Sequence, residues 1–433
     1  MSKEVIAIFD LGKTNKKFVL YDEKLNPVYK SSLQLPETVD EDLFPCEDYI
    51  LLKDWMLSSF AEELHKSKYK IKGLNFSAYG ATLVHLGYDN QPITPIYNYL
   101  KPYDKQLQQF LYQKYGGRTI FCSETASPPL GHLNSGLTLF WLQQQHKKIY
   151  NNIKCSLHLP EFCSFLFSDD LHSGITSVGC HTHMWDFGKQ DYHCWVKEQG
   201  LCDKIAPFRP SGYTIQKQFN GFNIFVGMGL HDSSSALIPH LKREKHPFAL
   251  LSTGTWCITM NPYNQEPLTV QELEADCLCY MSYTGTPVKA ARYFAGKIHE
   301  DMVNGLCKVY HKKPEFFYNL SFDEGFFLMA EDAFDFSDAV SYYSLPSAAQ
   351  AYHHFMYSLV RRLLPSIQLA IGNTNVCRLI VEGGFSRNNI FIKLLNRLLP
   401  GFELLTSGDE EASALGAAML LCENLQKKKV FVS

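Results

Sequence analysis

The segment Val5-Ile6-Ala7-Ile8-Phe9-Asp10-Leu11-Gly12-Lys13-Thr14-Asn15-Lys16-Lys17-Phe18-Val19-Leu20-Tyr21 decides how this chain is read. Val5 to Phe9 is a continuous apolar run, the pattern of a buried strand, and Phe18 to Tyr21 resumes it after a polar turn. Asp10 therefore stands at a strand end, with Gly12, Lys13, Thr14 and Asn15 in the turn and Lys17 starting the return. A turn of this kind can present backbone N–H groups and a hydroxyl to phosphate oxygens without a helix. Gly12-Lys13-Thr14 also imitates the end of a Walker A loop. That loop needs a glycine where Ala7 stands and a helix where Phe18 to Tyr21 is strand-like, so a P-loop is excluded.

The same grammar returns once. Phe248 to Leu251 runs into Ser252-Thr253-Gly254-Thr255, and Trp256 to Met260 is extended again. A second device is also repeated: Phe222 to Val226 leads through Gly227-Met228-Gly229 into a helix-prone stretch, as Arg378 to Val381 leads through Gly383-Gly384 into Ile390 to Leu399. Each half thus opens on a hairpin and closes on strand, glycine and helix. The 433 residues, 45% of them hydrophobic, suffice for two cores, since single cores stop growing near about 250–300 residues. The boundary falls in His240 to Pro247, charged, poor in apolar residues and closed by a proline. Residues 1–243 and 244–433 are the expected domains. Between these landmarks, Ile71 to Phe76 and Thr82 to Leu86 read as strands around a Tyr79-Gly80 turn; Gly136 to Gln145, Ala348 to Leu369 and Glu411 to Leu421 read as helices.

Composition removes several classes of function. Forty-one Lys and Arg against forty-four Asp and Glu leave a net charge of -3, without the basic excess that polynucleotide binding requires. Thirteen scattered cysteines, never spaced Cys-x-x-Cys, argue against a disulfide framework and a zinc ribbon. The first apolar run ends at Asp10, too short for a secretory or membrane segment, so a cytoplasmic protein with no membrane partner is expected.

Several residue groups could carry chemistry. Either hairpin alone is an ordinary β-turn; two in equivalent places frame a cleft suited to a triphosphate held from both sides with Mg2+. Asp232 precedes Ser233 to Ile238, where it is either a helix cap or a carboxylate base facing a substrate hydroxyl. Gly383-Gly384, ahead of Ser386 to Asn389, is either a sterically required turn or the floor under a flat nucleotide. His181-Thr182-His183, read as a strand, would put both imidazoles on one face, but no nearby residue completes a tetrahedral metal site. Gly227-Met228-Gly229 lacks the third glycine of a dinucleotide fingerprint, and Gly384 to Asn388 lacks the second glycine of a nucleophile elbow.

Taken in order, these landmarks resemble the FGGY family of carbohydrate kinases over nearly the whole chain. Ile8 to Lys17 resembles the family's first phosphate hairpin. Leu251 to Trp256 resembles its second, in the form seen in rhamnulokinases and fuculokinases. Gly229-Leu230-His231-Asp232 is similar to the segment carrying the catalytic aspartate, and Glu382 to Asn388 to the adenosine loop. The resemblance implies an α/β fold of two actin-like, ribonuclease H-like domains of the sugar kinase ATPase superfamily, with an interdomain cleft. It implies ATP-dependent phosphorylation of a small ketose or deoxyketose such as rhamnulose, fuculose or xylulose. On that likeness Asp232 is the general base and His231, Tyr79 and Gly80 meet the sugar. Asp10 serves Mg2+; Gly12, Lys13, Thr14, Asn15 and Lys17 face Thr253, Gly254 and Thr255 across the phosphates, and Gly383, Gly384 and Asn388 take the adenosine. A homodimer is among the expected assemblies. The competing reading is a non-catalytic nucleotide-binding sugar sensor or actin-like protein, which has no need of a base at Asp232.

Overall fold

The structure is a computed structural model that describes residues 3–66, 68–335, 341–408 and 411–428. Two sheets are built on one plan. In the first half, β1 (Lys3–Leu11), β2 (Lys16–Tyr21) and β3 (Pro27–Leu33) form an antiparallel meander; helix α1 (Tyr49–His65) then leads to β4 (Tyr69–Ala78), parallel to β1. Asp48 caps α1 by accepting from the Ile50 and Leu51 N–H groups, which the helix itself leaves unpaired. The antiparallel pair β5 (Leu83–Leu86) and β6 (Cys155–His158) belongs to a long insertion after β4. The chain returns through β7 (Thr214–Phe219), β8 (Phe222–Gly227) and β9 (Leu230–His231), giving the order β7-β8-β4-β1-β2-β3 with β9 also beside β4. Helix α2 (Asp232–Arg243) follows directly.

The second half repeats this. Strands β10 (Ala249–Thr253), β11 (Cys257–Asn261), β12 (Cys277–Met281) and β13 (Pro287–Tyr293) precede α3 (Ala295–Tyr310) and the long α4 (Ala348–Ile371). Then come β14 (Arg378–Gly383), α5 (Asn389–Leu398), β15 (Glu403–Thr406) and α6 (Ala412–Lys427). The sheet runs β12-β13-β11-β10-β14-β15, with β14 parallel to β10 and β15 parallel to β14. Matching β1 with β10, β2 with β11, β3 with β13 and β4 with β14 superposes the two strand orders. The two hairpins, β1–β2 and β10–β11, occupy equivalent places.

The closing helices cross over. Leu237 of α2 packs with Leu250, Tyr280 and Ile380 of the second sheet. Ala414, Ala417 and Leu421 of α6 pack with Ile6, Ile8 and Val19 of the first. Ala414, Ala417 and Ala418 of α6 are fully buried in this contact. At Gly416 a Cβ would lie 1.8 Å from the Ser235 carbonyl oxygen. Pro239, four residues on in α2, cannot donate to that carbonyl, so the helix leaves it free where α6 presses closest.

Two sequence expectations need correction. Residues 181–183 are not a strand: His181 and His183 have φ of +39° and +61°. They turn apart instead of sharing a face, and His183 is buried between Tyr112 and Thr125. The stretch expected as a linker begins inside α2, whose last turn carries His240, buried and 3.2 Å from Glu382 Oε2. All thirteen cysteines are unpaired.

Candidate active site

Asp232 is the first residue of α2, where a carboxylate meets the positive end of the helix dipole. Its Oδ1 accepts from the Ser233 N–H at 2.6 Å, yet burial outweighs this and pushes the carboxyl up to about 6. One third of the side chain stays open. It opens onto a pocket of about 220 Å³ shared with Ser252, Glu382, Gly383 and Ser413, so the end of the first half, the second hairpin, β14 and α6 meet there. Asp10 lies close by. Ser413 Oγ donates to its Oδ1 at 2.8 Å and Lys17 Nζ is 3.6 Å from its Oδ2. Burial raises the Asp10 carboxyl; Lys17 and Ser413 oppose this, while the negative charges of Asp232 and Glu411 add to it.

The second hairpin and the Gly383-Gly384 loop wall a larger cavity of about 650 Å³, which also touches Lys297, Tyr318 and Asn388. It adjoins the Asp232 pocket across the consecutive pairs Ser252-Thr253 and Gly383-Gly384, making one trough. Thr253 Oγ1 is spent on structure: it donates to the Glu382 carbonyl and accepts from the Phe385 N–H at 3.0 Å. Gly254 and Thr255 line the cavity, with Gly254 N–H closing the turn onto Trp256 O. Asn388 caps α5 by accepting from Phe391 N–H and donates to Tyr352 Oη at 2.8 Å, so it shapes the wall with its amide already paired.

The first turn is arranged differently from expectation. Gly12 N–H closes it onto Asn15 O. Lys13 pairs with Glu37 at 2.7 Å, Asn15 Oδ1 accepts from Gln34, and Lys17 pairs with Glu411 at 2.6 Å. Thr14 is exposed. The side chains of Lys13, Asn15 and Lys17 are thus tied to the segment after β3 and to the start of α6, and the hairpin reaches the trough through Asp10, which is bonded to Ser413 of α6. The unexpected member is Lys16, 2% exposed, which pairs with Glu47 at 2.7 Å and bonds back to the Gly12 and Lys13 carbonyls. Tyr79 Oη donates to the same Glu47 at 2.9 Å. This buried chain fixes the turn against the Tyr79-Gly80 segment.

Gly80 is packed on His231, where a Cβ would lie 2.8 Å from the ring. His231 is buried, and burial pushes its imidazole down to about 3, so the ring is neutral beside Asp232, with Nε2 3.2 Å from Oδ1. Tyr99, which the sequence reading passed over, stacks edge-on to Tyr79, and its phenol is raised by burial and then by the charge of Asp232. No signal in the sequence singles it out: it is an aromatic in a loop whose partners are distant in the chain.

Family models match at both ends of this arrangement. Residues 5–205 match the N-terminal domain of the FGGY family of carbohydrate kinases, and residues 245–325 match the carbohydrate kinase FGGY C-terminal domain. The chain belongs to the FGGY family of carbohydrate kinases. Solved structures agree with this FGGY kinase in fold. A carbohydrate kinase from Novosphingobium aromaticivorans has a TM-score of 0.76 at 22% identity, covering 96% of this chain and 93% of its own. Ligand-bound xylulose kinase from Lactobacillus acidophilus gives 0.78 at 14%, covering 98% and 90%. Plasmodium falciparum glycerol kinase with ADP gives 0.75 at 14%, with the same coverages. No curated protein sequence matches the chain. As an FGGY kinase it phosphorylates a small sugar with ATP. Among the described residues no helix is long and apolar enough to cross a membrane.

Proposed function

We propose that this FGGY kinase transfers the γ-phosphoryl group of ATP to a hydroxyl of a ketose or deoxyketose, with Asp232 as the general base. The observation that carries the reading is the place of Asp232. A carboxylate made more basic than usual by burial opens onto the pocket where the two halves meet, next to the trough built from the second hairpin. A base must lie within reach of the proton it takes and have a pKa not far below the working pH. As the sugar oxygen attacks phosphorus, its proton passes to an Asp232 carboxylate oxygen. The Ser233 N–H and the Ser233 hydroxyl, both donating to Oδ1, hold that carboxylate in orientation.

The trough suits a nucleotide, with the adenosine over Gly383-Gly384 and the phosphates running past Gly254 and Thr255 toward Asp232. The charge of Asp232 adds to the burial that raises Asp10, and a hard divalent cation beside this pair of carboxylates would relieve it. Asp10 is the residue that would hold Mg2+, which supplies charge neutralisation on the phosphate oxygens when bound. Tyr99, whose phenol feels the charge of Asp232, packs on Tyr79, and Gly80 packs on His231 beside the base; we assign the sugar to that side. Lys13, Thr14, Asn15 and Gly12 would meet the phosphates only once the halves close. The halves divide near Glu244.

The test is Asp232→Asn, expected to lower sugar phosphorylation by about 10² to 10⁴ while ATP binding is kept. It should be measured as ADP release with MgATP over a panel of ketoses and polyols. Undiminished turnover in the variant removes the base assignment, and a polyol preferred over every ketose removes the substrate class.

A further inference from the structure

Beside Asp232 three side chains converge that the phosphoryl transfer does not use as a set. One ligand atom each of Cys180, His181 and His231 lie within 4.8 Å of one another, and all three residues are buried. Cys180 Sγ is 3.1 Å from His231 Nε2. Their hydrogen bonds to the surroundings settle where the imidazole protons are. The Leu133 carbonyl can only accept, so His181 Nδ1, 3.0 Å away, carries the proton and Nε2 keeps a lone pair. Ser234 Oγ gives its single proton to the Met281 carbonyl at 2.8 Å, so toward His231 Nδ1, at 3.3 Å, it accepts. His231 Nε2 therefore also presents a lone pair, and Asp232 Oδ1 faces it at 3.2 Å. One thiol proton is shared among two imidazole lone pairs and a carboxylate.

We infer that Cys180, His181 and His231 form a binding site for a soft divalent metal of the Zn2+ class, with Asp232 Oδ1, 3.2 Å from His231 Nε2 but outside the 4.8 Å group, swinging in as the fourth ligand. One sulfur, two imidazole nitrogens and a carboxylate oxygen are a zinc donor set, and the sulfur and nitrogens make it a poor site for Mg2+. Each imidazole is already oriented by an Nδ1–H bond to a carbonyl or a hydroxyl, the outer-shell partner that metal-bound histidines need. Metal–sulfur bonds of about 2.3 Å and metal–nitrogen bonds of about 2.0 Å set sulfur and nitrogen about 3.5 Å apart in a tetrahedron, so the present 3.1 Å gap opens only slightly. The metal–sulfur bond forms as the S–H bond breaks, and the proton leaves to solvent. Once Asp232 ligates the metal it is no longer free to take a hydroxyl proton, so a loaded site stops phosphoryl transfer. That consequence rests on the role given to Asp232 above; the binding does not.

The probe is Co2+, added to the full chain after chelator treatment. Stoichiometric binding is expected, with the intense visible bands of tetrahedral cobalt and a thiolate charge-transfer band in the near ultraviolet. Cys180→Ser should lose the charge-transfer band, His181→Ala should lose stoichiometric binding, and Cys194→Ser, at an exposed cysteine, should keep both. Zn2+ should also raise the melting temperature of the unaltered protein, whereas Mg2+ at the same concentration should not. Weak octahedral bands, a charge-transfer band that survives in Cys180→Ser, or an unshifted melt with Zn2+ overturns the site. Inhibition by Zn2+ that persists in Cys180→Ser overturns its link to catalysis. Asp232→Asn assayed without transition metal tests the base independently of these results.

Discussion

Gly383 meets two demands at once. Its φ of +83° with ψ of -157° is a backbone state that side-chain-bearing residues avoid, and a Cβ there would sit 2.2 Å from the Thr253 carbonyl oxygen. That oxygen belongs to a paired strand and cannot yield cheaply, so a substitution stores about 1–3 kcal/mol of strain. Thr253 and Gly384, on either side of the contact, both wall the larger cavity, so the strain falls on the site proposed for the nucleotide. Gly383→Ala is expected to weaken ATP binding at least about tenfold, or about 1.4 kcal/mol, by calorimetric titration. Gly401→Ala, where a Cβ meets nothing within 4 Å, should leave affinity unchanged. Equal affinities in the two variants would show that Gly383 serves only the turn. The glycine pair was legible because glycine marks backbone demands locally. The partners of Lys16, Tyr99 and Cys180 were not, because each is brought in by an element far along the chain: Glu47, Tyr79 and His231.

The β5–β6 strand pair carries an acid liability that belongs to the element. His85 on β5 is fully buried with Nδ1 2.8 Å from Ser156 Oγ on β6, while its Nε2 has no hydrogen-bond partner among the described residues. Burial pushes its imidazole down to about 3, against an unfolded value of about 6.5. Between these values the unfolded chain binds the proton and the folded chain does not, so stability rises with pH through that window and is lost as pH falls below about 6.5. The slope from His85 is at most about 1.4 kcal/mol per pH unit. His158 on β6 and His183 are depressed to about 3 by burial as well and add in the same sense. His85→Leu should flatten the pH dependence of the urea midpoint between pH 6 and pH 4 relative to the unaltered protein, whatever it does at pH 7. An unchanged slope would mean that His85 titrates normally. Elements of this kind were readable where one period dominates: β1, β2, β10 and α4 follow their apolar patterns. The segment at His181 to His183 was misread because alternation of two residues looks like a strand, while the left-handed φ values that break it leave no trace in side-chain type.

For the whole molecule the decisive feature is the exchange of closing helices. The sequence divides near Glu244, but the packing does not: α6, last in the chain, covers Ile6, Ile8, Val19 and Tyr21 of the first sheet. It is held there by Asn75 Nδ2 donating to the Ala417 carbonyl, Ser413 donating to Asp10, and the pairing of Glu411 with Lys17 and Lys30. A stripe of alanines announces close packing without naming the partner, which is why the repeat was legible and the exchange was not. Uncovering four large apolar side chains forfeits about 1.5–3 kcal/mol each, comparable in sum to the about 5–15 kcal/mol that holds a domain folded. A fragment of residues 1–243 is therefore expected to lack a cooperative urea transition and to bind a hydrophobic dye. Adding a peptide of residues 411–428 should restore the transition, and a peptide with Gly416→Val should not, because its side chain would collide with the Ser235 backbone. A sharp, dye-free transition in the fragment alone would mean that the first half closes its own core. In the intact protein α6 would then be a clasp between two independent bodies, and the proposed closure over ATP would have to be explained without it.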